Sequence, residues 1–279
     1  MSVVAAGPAL ERAAPRPVSR RGVRLASWGP PLGILVVLLG AWQVGVVHAL
    51  FGLREFQLPF PVQIAQALVE RGDVLWRDAV LITGPEALGG LAIGALAGLG
   101  AAVVCGGAGW LRRGVLPILA SLNSIPIIAI SPIAVLWLGF GQPSKIAVVA
   151  LMTFAPMVVN AFKGLYSIDP ASLELMTSLS ASPAQVFWKL RLPHALPYIF
   201  TALKVGTTLA MIGAVVAEFF NAQRGLGVDL SNNIQVAKMP IAWAAIVAAA
   251  LVGLVLFGLV SLAERAIIPW HVSFRTQEE

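Results

Sequence analysis

Few side chains in this 279-residue chain are placed to make or break bonds. The three histidines, His48, His194 and His271, are scattered, and none pairs by spacing with a nucleophile. The single cysteine, Cys105, lies in an apolar run and alone forms neither an internal disulfide nor a metal cluster. No Gly-x4-Gly-Lys-Ser/Thr phosphate loop occurs, so the chain is not expected to hydrolyse ATP by itself. These residues predict no catalytic group, no metal site and no cofactor. The chain does carry a polar, cap-rich stretch from Asp169 to Pro197, set between long apolar runs. Its chemistry is recognition rather than catalysis.

Asp169 suits a helix N-cap, and Pro170 suits the first helical position, where no N–H is needed. Leu173, Leu175, Met176 and Leu179 give that helix an apolar side, and Glu174 puts negative charge near its positive end. Ser180-Ala-Ser182 interrupts it. Ser182-Pro183-Ala184-Gln185 then reads as a capping box that restarts a helix. Val186, Phe187 and Leu190 form the second apolar side, with Lys189 and Arg191 near the negative end. Pro193 and Pro197 are expected to stop this helix before the next apolar run. The stretch predicts helix, sharp break, helix. On physics alone it fits either an amphipathic hairpin on a membrane surface or a knob for a partner's groove.

The elements that must position this stretch follow from composition. Hydrophobic residues make up 58% of the chain and charged residues 11%, with mean hydropathy +0.85. A soluble domain carries roughly 25% charged residues, so too little polar surface remains to cover a globule. The expected fold is an all-α polytopic membrane protein with about six transmembrane helices, at 32–51, 84–105, 115–139, 144–165, 197–220 and 241–262. Each is long enough to cross a hydrocarbon core of about 30 Å. Pro126, Pro132 and Pro156 can be tolerated inside such helices. The first run follows a basic leader but is long for a signal peptide, and reads as a retained helix. Residues 52–82 read as an amphipathic segment at the membrane surface. The expected organisation is a basic, unstructured tail (1–27), one transmembrane domain (28–268) and a short tail (269–279).

The net charge of +6 is read as a topology signal rather than a nucleic-acid footprint, because no basic stripe with interleaved aromatics occurs. With the N-terminus inside, 13 Lys and Arg residues fall in inside segments and 6 outside. Both termini and the 166–196 loop are then cytoplasmic. Lys163 and Lys204 are taken to lie near helix ends, where they can snorkel. Glu86, Glu218 and Glu264 are likewise placed near helix ends, as caps or snorkelling groups rather than a proton relay. Gly90, Gly94, Gly98, Ala102 and Gly106 form a small-residue stripe, read as packing within the bundle in preference to a dimer face. Asn123, Ser124, Ser131, Thr207, Thr208 and Met211 are candidates to line a pathway, although Ser and Thr can also bond their own helix backbone.

The spacing in the loop resembles a motif of bacterial ATP-binding-cassette (ABC) importer permeases: Glu-Ala-Ala, three residues, Gly, nine residues, Ile, one residue, Leu-Pro. Here it reads Glu174-Leu175-Met176, Ser180, Leu190, Leu192-Pro193 at the same spacing. Leu175 and Met176 replace small alanines. Ser180 replaces the glycine, which at a positive φ costs roughly 1 kcal/mol. Asn123-Ser-Ile-Pro126, Leu136 to Gly141, Ser167 to Pro170, Ile212 to Phe220 and Gly225-Leu-Gly227 look like the nitrate, sulfonate, taurine and vitamin-precursor group, over roughly residues 55–265. Some similarity of Val135 to Gly141 leans to the vitamin-precursor branch.

The resemblance implies a permease acting as a homodimer in the bacterial inner membrane. It implies two ATP-hydrolysing subunits that receive the 170–191 helices, and an external binding protein that delivers a small anion or vitamin precursor. The coupling residues it implies are Glu174, Leu175, Met176, Ser180, Phe187, Leu190, Leu192 and Pro193. The alternatives are an ATP-independent secondary transporter or channel, which would need an intramembrane ion site, and a scaffold without transport.

Overall fold

The computed structural model describes the backbone of residues 20–107 and 109–269, with side chains for all of these except 20–28, 123, 127 and 221. His271 and the C-terminal tail therefore lie outside the described residues, and so does the leader up to residue 19. The described elements are helices. They fall into two units divided between Leu53 and Arg54.

The first unit holds α1 (Arg20–Gln43) and α2 (Val46–Phe51). The expected single run over 32–51 is interrupted because Gly45 turns left-handed, at φ 83°. Helix also begins at Arg20, inside the tail expected to be unstructured.

The second unit starts with α3 (Pro61–Glu70) and α4 (Gly72–Asp78). The amphipathic segment does not end where the sequence suggested. α4 passes through a wide π-turn (Ala79–Thr83) into α5 (Gly84–Gly106), giving one 35-residue helical run. A second π-turn (Leu111–Val115) leads into α6 (Leu116–Ser121), a 3-10 turn (Leu122–Ser124) and α7 (Ile127–Leu138). The expected span 115–139 is thus broken. Pro126 sits at the break in extended backbone, φ −63° and ψ 114°, and its ring disfavours helix in the residue before it. Pro132 and Pro156 are carried inside helices as expected.

α8 (Gln142–Tyr166) is the central helix, packed against both α5 and α11 (Leu192–Asn221). The small-residue stripe of α5 faces it. A Cβ on Gly94 would collide with the Ala150 carbonyl oxygen and the Thr153 hydroxyl, so the stripe serves close packing within the bundle. α13 (Met239–Ile267) packs on α11, α3 and α12 (Leu226–Gln235). Among the described residues, four helical runs are long and apolar enough to cross a membrane, and two shorter apolar helices accompany them. Leu96, Leu136, Trp137 and Leu254 are among the many large apolar side chains left exposed, as a bilayer-facing surface requires.

Candidate functional site

The loop after α8 folds as its caps dictate. Asp169 accepts a hydrogen bond from the Ala171 N–H (3.4 Å), and Pro170 opens α9 (Pro170–Ser178). The helix ends in a Schellman arrangement. The Ala181 N–H donates to the Met176 carbonyl (3.0 Å) and the Ser180 N–H to that of Thr177 (2.9 Å). That geometry demands a left-handed residue, and Ser180 supplies it at φ 52°. The serine takes the conformation that a glycine adopts freely. The capping box also forms: the Ser182 N–H donates to Gln185 Oε1 (2.7 Å), and the Gln185 N–H donates to Ser182 Oγ (3.3 Å).

One expectation fails. Pro193 and Pro197 do not separate α10 (Pro183–Val186) from the following span. A π-turn over Phe187–Arg191, in which the Leu192 N–H bonds the Phe187 carbonyl, joins α10 to α11. The wider turn places the missing N–H of Pro193 where the ladder has already slipped register. Pro183 to Phe220 becomes one continuous helical run of 38 residues.

The predicted loop residues divide into two sets. Phe187 and Leu192 pack against the core formed by α5, α8 and α11. Leu190, Pro193 and Met176 are half-buried. Glu174, Leu175 and Ser180 are exposed. The most exposed apolar groups are Leu175, Leu179 and Trp188. The sequence does not single out Trp188, which falls between the positions of the spaced motif.

At the other end of α11 lies a buried polar cluster that the sequence did not reveal. Glu218 is fully buried. Its Oε1 accepts from the Thr83 hydroxyl (2.7 Å) and its Oε2 from the Gly227 N–H (2.7 Å). The Thr83 oxygen accepts from the Leu226 N–H (3.1 Å), and Asp78 Oδ2 from the Gly225 N–H (3.2 Å). Three successive N–H groups at the start of α12, which would otherwise lack partners, are thus held by α4, the π-turn and α11. The carboxylates also meet the positive end of that helix. Gly225 is required twice: its φ is 124°, and a Cβ there would strike the Glu218 carboxylate.

Glu86 and Lys145 lie within electrostatic reach of Glu218 and of each other. Glu86 and Lys145 are buried and border a polar cavity of about 450 Å³ that Gln142, Gln223 and Arg224 also line. Glu86 and Glu218 are therefore interior groups and do not snorkel. Glu264 is buried too and forms an ion pair with Lys204. Lys204 lies well inside α11, not at a helix end.

The pathway candidates scatter. Thr208 and Met211 border an apolar groove of about 600 Å³ between α11 and α13. Thr207 is buried and donates to its own helix at the Lys204 carbonyl (2.7 Å). Ser131 is buried in α7, and Ser124 is exposed in the 3-10 turn. The Asn123 side chain lies outside the described residues. Among the described residues no group of three His, Cys, Asp or Glu side chains could hold a metal.

Comparison with known proteins matches this architecture. The model of a family described as the inner membrane component of binding-protein-dependent transport systems fits residues 90–269. The chain is 34% identical to the riboflavin transport system permease of Chloroflexus aurantiacus, covering 92% of this chain and 98% of that one. It is 31% identical to the taurine transport system permease of Escherichia coli, over 86% and 89% of the two chains. Its fold resembles a chain of the inward-facing MetNI methionine ABC transporter, with TM-score 0.56 and 21% identity, covering 72% of this chain and 96% of that one. The motif spacing, the long apolar helices and these matches agree: the chain belongs to the family of binding-protein-dependent transport system inner membrane components, and is a multi-pass permease of an ABC importer.

Proposed function

We propose that residues 170–191 are the element through which separate ATPase subunits drive this permease. The observation that carries this reading is the fusion of a capped, exposed knob to a long helix. Leu175, Leu179 and Trp188 present apolar surface beside Glu174, while Phe187 and Leu192 root the same segment in the core. A groove on the ATPase would bury the first set, and the second would pass its movement into α11. Rigid-body motion of packed elements is the expected mode of switching. Two copies of the chain form the pathway, within a permease domain spanning 28–268. Both termini and the loop face the cytoplasm, where basic residues concentrate. The chain does no bond chemistry, and ATP is hydrolysed on the partner subunits. An external binding protein delivers a small anion or a vitamin precursor, a reading supported by similarity to permeases of taurine and riboflavin transport systems.

The test is co-purification with the cognate ATPase. Glu174→Arg and Leu179→Asp alter exposed positions and should abolish association while leaving the permease folded. Association of both variants at the unsubstituted level would refute the docking role. Uptake by the permease alone in liposomes, driven by an ion gradient, would favour an ATP-independent transporter instead. The ligand carried by the binding protein identifies the substrate.

A further inference from the structure

At the end of the bundle where α8 gives way to the coupling loop, a cavity of about 410 Å³ opens between α6 and the last turns of α8. Its floor is apolar, formed by Leu116, Val159 and Phe162. Its rim carries Arg112 and Lys163, both exposed. Each cation rests on an aromatic face. The Arg112 guanidinium is 5.7 Å from the Phe162 ring centre and the Lys163 ammonium 5.9 Å from that of Tyr198. A third, Arg191, stands 4.6 Å from the ring of Tyr166, which also lines the cavity. Among the described residues none of the three has a carboxylate within ion-pair distance.

Aromatic faces hold cations in place without cancelling their charge. The cavity therefore combines fixed, uncompensated positive charge with a hydrocarbon floor. Its depth in the membrane adds a constraint. Tyr166 and Ser167 mark the end of a membrane-length helix, the level at which lipid headgroups lie. An anion with an apolar body satisfies all three features. Basic pockets between transmembrane helices take lipid headgroups in this way. We propose that the cavity holds an anionic phospholipid, with its phosphate between Arg112 and Lys163 and an acyl chain over Leu116 and Val159. Because Arg191 belongs to the π-turn of the coupling loop, the lipid would join α6 and α8 to the segment proposed to receive the ATPase. The site does not depend on that docking role, and its test uses no ATPase.

Native mass spectrometry of the full chain released from phosphatidylcholine nanodiscs, with and without phosphatidylglycerol, reads the bound lipid directly. The unsubstituted chain should retain phosphatidylglycerol selectively. Arg112→Gln with Lys163→Gln should weaken its retention by about thirtyfold. The charge-conserving pair Arg112→Lys with Lys163→Arg should keep it, which separates loss of charge from loss of fold. Equal retention by the glutamine variant would overturn the proposal. Loss of lipid by the charge-conserving variant to the same degree would do so as well. Displacement of phosphatidylglycerol by inorganic pyrophosphate, leaving the acyl floor irrelevant, would assign the cavity to a soluble phosphate and also overturn it.

Discussion

Replacing Thr83 by valine tests the buried polar cluster with little change in side-chain volume. The Thr83 oxygen does two tasks, donating to Glu218 Oε1 at 2.7 Å and accepting from the Leu226 N–H at 3.1 Å. Valine does neither. Thr83 and Glu218 are fully buried, and Leu226 nearly so, so water does not replace either bond. A buried polar group deprived of its partner costs about 1–3 kcal/mol. Two such groups give an expected loss of about 2–6 kcal/mol. Thr83→Ser supplies the control. It keeps the hydroxyl and loses one methyl group, at a cost of about 1 kcal/mol. Thermal unfolding in detergent measures both variants. Hydrogen exchange at the Leu226 amide locates the effect, since that N–H should lose protection in the valine variant while the Gly225 N–H, held by Asp78, changes less. If valine destabilises no more than serine, or Leu226 protection is unchanged, the cluster is not what holds α12 in place.

The remaining expectations concern single positions. Ser180→Gly should stabilise the chain by up to about 1 kcal/mol, because the side chain is exposed and the left-handed backbone strain is relieved; a fall in melting temperature would contradict the assigned turn. Gly225→Ala should prevent stable packing of α12, seen as a lower melting temperature and increased proteolysis near residue 225, because both φ 124° and the Glu218 carboxylate oppose a Cβ. Asp229, outside the membrane-length helices, has its carboxyl pushed up by burial and further by Asp78, against the opposing pull of Arg71 and Arg77. The folded state therefore binds this proton more tightly than the unfolded state, and stability falls as pH rises from the ordinary aspartate value through the raised one. Asp229→Asn should flatten that slope and raise the melting temperature at neutral pH; an unchanged pH profile would refute it.

What the sequence made legible was local. Asp169, Pro170, Ser182 and Gln185 announce their caps within three residues, and all four act as read. The apolar runs around α8 and α13 were equally clear, because their length exceeds what a soluble helix needs. The polar cluster was hidden because three of its four bonds join positions 135 to 147 residues apart. Only the proximity of Glu218 to Gly225-Leu-Gly227 offered a signal, since a carboxylate beside a glycine-flanked helix start is a plausible cap. Hydropathy alone does not locate helix ends, and Lys204 lies well inside α11, whereas Glu264 does lie in the last turn of α13 and looks wet from the sequence only because the helix that covers it is not visible there. Pro193 misled in the opposite direction. A proline was weighed as a stop, whereas a π-turn just ahead of it let the helix continue.

That continuity has a mechanical meaning. A 38-residue helix from Pro183 to Phe220 is about 57 Å long at 1.5 Å per residue. It reaches from the exposed knob at one end to the residues that grip α12 at the other. Such a rod is a lever arm. Pivoted at one end, a tilt of about 10° carries the other through about 10 Å, larger than a water molecule and comparable to a small metabolite. A modest stroke at the knob thus suffices to open or shut a passage at the far side, without unfolding or re-registering any segment between.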